Sequence, residues 1–140
     1  MNPIIVTHGG VGCPPENKDG TDKAAKVGFD IMKKGGNALD AVEAAIIILE
    51  DDERFNAGTG SFMRLNGSIE MDAILMDSEG NCGAVAAIKD VKNPISVARK
   101  VMETPHVLLA GEGAIEFARK MGFNLFNPST EKAKRSLEDS

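Results

Sequence analysis

Chemistry in this chain concentrates in residues 54–61, RFNAGTGS, which follow the apolar run AVEAAIIILE and its acidic end DDE. Gly58 and Gly60 give the backbone access to positive φ, while Asn56 and Thr59 bring an amide and a hydroxyl to the same turn. Such a turn can present main-chain carbonyls to an ion or a ligand and hold one amide side chain, Asn56, on a rigid backbone. It supplies no nucleophile. Ser61 and Thr59 read as turn residues, and the sequence has no GxSxG elbow, no SxxK and no cysteine beside a plausible base.

Residues 8–12, HGGVG, have the look of a dinucleotide-binding turn, but Cys13-Pro14-Pro15 stands where the pyrophosphate-binding helix should begin. On pattern alone a structural glycine turn is favoured over a catalytic loop. GEGAIE at 111–116 has Glu116 where the third glycine should be and reads as a helix entry. His8 and His106 are far apart with no cysteine or carboxylate at ligand spacing, which argues against zinc and for structural roles. Asp72 alternates with Ile74 and Met76 on one face of an expected strand, so its carboxylate must be paired or functional. A buried hydrogen-bond anchor is favoured over catalysis.

The elements that must position these residues follow from periodicity and punctuation. Ile4, Ile5 and Val6 are expected to form a short buried strand ending at Thr7-His8-Gly9-Gly10. After a surface loop at 13–20, Thr21 or Asp22 can cap a helix with Ala24, Val27 and Ile31 inward, stopped by Gly35-Gly36. Asn37 caps a second helix in which Leu39, Val42, Ile46 and Leu49 are joined by so many other apolar residues that it must be buried all round. FMRL at 62–65, the Asn66-Gly67 turn, SIEMDAILM, a second turn at 77–81 and CGAVAAI predict a three-stranded antiparallel meander. Asn93-Pro94 starts a third helix that Pro105 breaks, and residues 106–109 precede a fourth helix closed by Gly122. From Asn127 the chain is polar, and a frayed, linker-like tail is expected over 127–140. The order implies an α+β layering, with a sheet too small to be covered on both faces by this chain alone. A partner chain is inferred.

Composition narrows the partners. The 140 residues are 42% hydrophobic, enough for one core, and sixteen basic against twenty-one acidic residues leave a net charge of −5 that argues against nucleic acid. Cys13 and Cys82 do not make a disulfide framework. No segment approaches a membrane span or a signal peptide, so the expected location is the cytoplasm, with reduced thiols.

Together, HGGVG at 8–12, GGNALDAVEAAIIILEDDERFNAGTGS at 35–61, MDAILMD at 71–77, GAVAAI at 83–88 and NPISVARKVMETPHVLLAGEGAIEFARKMGF at 93–123 resemble the plant-type L-asparaginases. These are the asparaginase and isoaspartyl aminopeptidase members of the N-terminal nucleophile hydrolases. The resemblance runs in order over most of residues 4–126, and five motifs in sequence are specific where one would be weak.

The resemblance implies a precursor that cuts itself before a threonine, giving α and β chains joined in an αββα sandwich and an (αβ)2 assembly. Residues 1–126 would then be the α part of one shared hydrolase domain, and 127–140 the linker ahead of the cleavage site. The nucleophile would open the β chain in a Thr-Val-Gly-like segment, which does not occur here. It would attack the side-chain amide of L-asparagine or a β-aspartyl isopeptide bond, with its own α-amine as base. No cofactor is implied for catalysis. Asn56 matches the asparagine that reaches toward the nucleophile, and His8, Gly9 and Gly10 match a loop near the scissile bond, reversing the structural reading of that turn. The carbonyls of Leu49, Glu50, Asp52, Phe55, Ala57 and Thr59 match a loop that encloses a sodium ion, a donor set suited to a hard cation. Aspartylglucosaminidases and threonine aspartases share the architecture. A rival reading from another class is a non-catalytic module binding an ion or nucleotide, motivated by the missing nucleophile.

Overall fold

The computed structural model describes residues 2–139. Helix α1 (Lys18–Lys33) grows out of a 3-10 turn at Pro15–Asn17, so it begins earlier than the expected cap at Thr21 or Asp22. The reason is local: Thr21 Oγ1 donates back to Lys18 O at 2.8 Å and Lys18 pairs with Asp22. Both residues therefore lie inside the first turns. Gly20, Ala24 and Gly28 are its buried positions. Gly28 allows the backbone of helix α2 (Ala38–Glu50) to come close, since a Cβ there would lie 2.8 Å from Ala41 O.

Asn37 caps α2 as expected, its Oδ1 accepting from Asp40 N at 2.9 Å. Full burial falls on Ala41, Ala45, Leu49 and Glu50, Leu39, Ile46 and Ile47 pack half-buried against the sheet core, and Val42 is exposed. The all-round burial expected of this helix is not achieved within the chain.

The sheet is mixed. Strand β1 (Met71–Met76) pairs antiparallel with β2 (Cys82–Ile88), Met76 opposite Cys82, and β3 (Leu108–Ala110) pairs parallel to β2, Ala84 opposite Leu108. The expected meander is thus corrected: its last two strands form, but residues 62–65 do not join them. The Asn66-Gly67 turn does form, with Gly67 N donating to Arg64 O at 2.8 Å, yet Phe62 N is taken by a side chain and Leu65 is exposed. Ile4–Val6 is likewise not a strand. Ile5 packs toward Ala24 and Leu49, whereas Ile4 and Val6 are 85% and 88% exposed with no neighbouring strand among the described residues.

Helices α3 (Pro94–Val101) and α4 (Gly111–Lys120) cover one face of the sheet, burying Val85 and Ile88 against Ala98, Val101, Ala114 and Ala118. The opposite face exposes Ile74, Met76 and Leu108. The tail expected to be frayed holds helix α5 (Glu131–Glu138), capped by Thr130 Oγ1 accepting from Ala133 N at 3.1 Å, with Thr130 and Ala133 buried. Among the described residues no helix is long and apolar enough to cross a membrane.

Candidate active-site loop

The segment after α2 folds back on the end of its own helix. Thr59 N donates to Glu50 O at 2.8 Å, closing residues 50–59 into a loop. Glycine is required where the strands of that loop cross: at Gly58 (φ 51°) a Cβ would sit 2.5 Å from Glu50 O, and at Gly60 (φ 105°) it would collide with Glu53 O. Three anchors hold the loop from different sides. Phe55 is buried in a slot walled by Gly9 and Gly20, where added Cβ atoms would lie 3.1 and 2.5 Å from its ring. Arg54 forks onto Asp19 of α1 at 2.8 Å and Asp52 at 2.6 Å, and these bonds hold both carboxyls below the usual carboxylate range. Gly60 N donates to Pro128 O at 3.3 Å, tying the loop to the segment before α5.

Asn56 sits at the free end of this frame. Its Oδ1 accepts from Phe62 N at 3.0 Å, which fixes the amide plane, and its Nδ2 has no partner among the described residues. It borders a cavity of about 250 Å3 shared with Glu50, Ser61, Arg64, Glu70 and Asp72. Asp72 is a hydrogen-bond anchor, accepting from Ala87 N at 2.8 Å across the register shift between Met71 and Ala73, where Ala87 has φ 49°. The expectation that it is buried is corrected: it is exposed, because the sheet face it shares with Ile74 and Met76 is uncovered here.

The side chain of Glu50 escaped the sequence reading, which assigned this residue only a main-chain role. It is 2% exposed, its Oε1 accepting from Ile95 N at 3.0 Å and its Oε2 from Asn93 Nδ2 at 3.1 Å. A residue of α2 therefore caps α3, and Asn93 turns its own side chain toward Glu50 and Asp51 instead of capping its helix. The available signal was the position four residues after Ile46, on the buried stripe of α2. Burial pushes the carboxyl up to about 7, against the opposing effect of those two hydrogen bonds. Because the folded-state value is raised, its contribution to stability is full below the unfolded value near 4.5 and is lost as pH rises through about 7. Glu50→Gln should remove that dependence. Chemical denaturation of the two proteins at pH 5 and pH 8 is expected to show wild type losing on the order of 3 kcal/mol more than the variant over this range; parallel profiles would refute the assignment.

His8, Gly9 and Gly10 form a tight turn in which Gly10 N donates to His8 Nδ1 at 2.9 Å. They line a separate cavity of about 240 Å3 with Cys13 and Thr21, so His8 and Asn56 do not share one pocket. The two turns meet through Phe55, whose ring lies against Gly9. Of the six carbonyls expected around a cation, Leu49 O accepts from Asp52 N at 3.4 Å, Glu50 O from Thr59 N at 2.8 Å and Asp52 O from Phe55 N at 3.0 Å. Those of Phe55, Ala57 and Thr59 accept no hydrogen bond among the described residues.

Comparison with known proteins places this geometry. The chain matches the asparaginase family over residues 1–140. It is 51% identical to the plant-type L-asparaginase of Pyrococcus furiosus, covering 96% of this chain and 46% of that protein. It is 47% identical to the isoaspartyl peptidase/L-asparaginase of Homo sapiens, covering 99% of this chain and 48% of that protein. The chain thus spans about half the length of the curated relatives it matches. With a matched family over its whole length and half-identical relatives aligned across the same loop, the chain belongs to the asparaginase family.

Proposed function

We propose that this chain is the α part of an L-asparaginase and β-aspartyl peptidase whose nucleophile is the N-terminal threonine of a β chain released from the same precursor. The observation that carries this reading is the unpartnered Asn56 Nδ2, held over a polar cavity by a loop anchored on three sides, in a chain with no nucleophile of its own. The threonine hydroxyl would attack the side-chain carbonyl, its α-amine taking the proton; the amine leaves, and water hydrolyses the acyl-enzyme. Asn56 contributes a fixed donor at that centre, and the turn at His8, Gly9 and Gly10 supports it through Phe55. The uncovered sheet face at Ile74, Met76 and Leu108 is suited to the second sheet of an αββα sandwich, two such pairs forming (αβ)2, with 127–140 as the linker before the cleavage site.

The loop also fits a cation. Three carbonyls without hydrogen bonds and three with one lone pair committed make an uncharged, oxygen-only donor set, which is matched to sodium and not to a softer metal. When bound, the ion would stiffen the backbone carrying Asn56. In the full-length protein, exchanging sodium for tetramethylammonium should lower both melting temperature and turnover; unchanged values would count against the site.

The direct test is made on full-length protein incubated with L-asparagine and with a β-aspartyl dipeptide. Release of ammonia or of the second amino acid, with intact mass showing two polypeptides of which one begins with threonine, is the expected result. A single uncut polypeptide that hydrolyses neither compound would overturn the proposal.

A further inference from the structure

Glu50 closes α2 and grips two neighbours at once. Its carboxyl is buried, accepts from Ile95 N at 3.0 Å and from Asn93 Nδ2 at 3.1 Å, and so holds the first turn of α3. Its main chain holds the loop, Glu50 O accepting from Thr59 N at 2.8 Å. The stem shares that contact: Gly58 lies so close that an added Cβ would stand 2.7 Å from Glu50 Cβ. Residues 57–59 follow Asn56 directly, and Glu50, Asn56, Gly58 and Pro94 border one cavity. Stability alone is a poor reason for an acid here. Among the described residues no lysine or arginine ion-pairs with this carboxyl, the neighbouring Asp51 takes Lys92 at 2.9 Å, and burying an acid with no cation beside it is costly. The ties from Ser96 Oγ to Glu43 at 2.7 Å and from Arg99 to Asp40 at 3.3 Å also join α3 to α2, but farther back along α2, away from the loop.

An acid kept at such a cost, where it locks a helix end to the turn that carries Asn56, has a use in geometry. A displacement of about 1 Å at a reacting centre lowers a rate by roughly 10²-fold. Taking the hydrolase reading above as its basis, we infer that Glu50 is a positioning residue for that reaction: it fixes residues 57–59 against α3 and thereby sets where Asn56 Nδ2 stands. In this role it touches no reacting atom and undergoes no covalent change. Its effect passes through Asn56.

The test measures kcat and KM for L-asparagine, with melting temperature, in full-length Glu50→Gln, Asn56→Ala and the double variant, and uses Glu43→Gln as the control for a lost tie between α2 and α3. Glu50→Gln keeps the side-chain length and one acceptor but turns an amide N–H toward Ile95 N or Asn93 Nδ2, both of which are donors. Its kcat should fall roughly tenfold with KM within about twofold of wild type. Adding Glu50→Gln to Asn56→Ala should cost little more, because the group it positions is already gone. Glu43→Gln should lower melting temperature and leave kcat unchanged. An unchanged kcat in Glu50→Gln, an equal loss in the Asn56→Ala background, or the same loss in Glu43→Gln would overturn the assignment and leave Glu50 a structural residue. If Glu50→Gln does not fold, Asn93→Ala breaks the Oε2 bond from the α3 side, and the same outcomes decide. The wild-type control separates the two levels of argument: if it turns over neither L-asparagine nor a β-aspartyl dipeptide, the hydrolase reading fails and takes this inference with it. An active wild type with a fully active Glu50→Gln removes the positioning role alone.

Discussion

Asn56→Asp is expected to reduce kcat of the complete enzyme by roughly 10²- to 10³-fold, the scale seen when one preorganised donor is removed from a reacting centre. Aspartate retains the acceptor that Phe62 N requires at 3.0 Å, so the loop keeps its shape. What disappears is Nδ2, the donor without a partner inside the chain, and a carboxylate takes its place facing a cavity that already holds Glu50, Glu70 and Asp72. Asn56→Ala is the less clean substitution, because it deletes the tie to Phe62 as well and adds about 1 kcal/mol of lost stability. Steady-state kinetics with calorimetry on both variants distinguishes the roles. Full turnover in Asn56→Asp, or turnover lost only in step with melting temperature, would make Asn56 a structural residue.

Gly58→Ala should be the most destabilising single change in the loop. Two penalties coincide: an alanine held at φ 51°, and a methyl group 2.5 Å from Glu50 O and 2.7 Å from Glu50 Cβ. Left-handed strain and overpacking each cost about 1–3 kcal/mol, so a loss of roughly 4 kcal/mol in denaturant unfolding is expected. The neighbour cannot give way cheaply, because Glu50 is buried and its carboxyl also holds the first turn of α3 through Ile95 N. Damage should therefore spread, with activity and α3 protection in hydrogen exchange falling together. A loss below about 1 kcal/mol would show that the loop can reopen without strain, against the closed geometry described.

Features set by near neighbours in the chain were legible from the residues. Asn37 caps its helix, Asn93-Pro94 opens another, and the turn at 77–81 forms, Asp77 accepting from Glu79 N and Asn81 N. Strand identity was less so, because a strand exists only against a partner: Ile4–Val6 and residues 62–65 have strand-forming sequences and, among the described residues, no neighbouring strand to pair with. Similarly, the alternation of Asp72, Ile74 and Met76 located a sheet face correctly but could not say whether this chain covers it. The tail was misjudged through its polarity, although Thr130 as a cap and Ala133 and Leu137 four apart give α5 its amphipathic stripe. At the site, RFNAGTGS announced the loop, while the anchors that shape it were hidden in sequence separation: Asp19 is 35 residues from Arg54, and Ile95 is 45 from Glu50.

The uncovered sheet face also bears on what cutting the backbone would mean. Ile74 and Met76 are 67% and 65% exposed, and side chains of this kind contribute roughly 1.5–3 kcal/mol each when fully buried against another surface. In the proposed two-chain enzyme that seam would add to the other contacts holding the two products together, so that scission could free a reactive terminus without freeing a subunit. In that enzyme the one-to-one stoichiometry of the two products would be inherited from a single translation event.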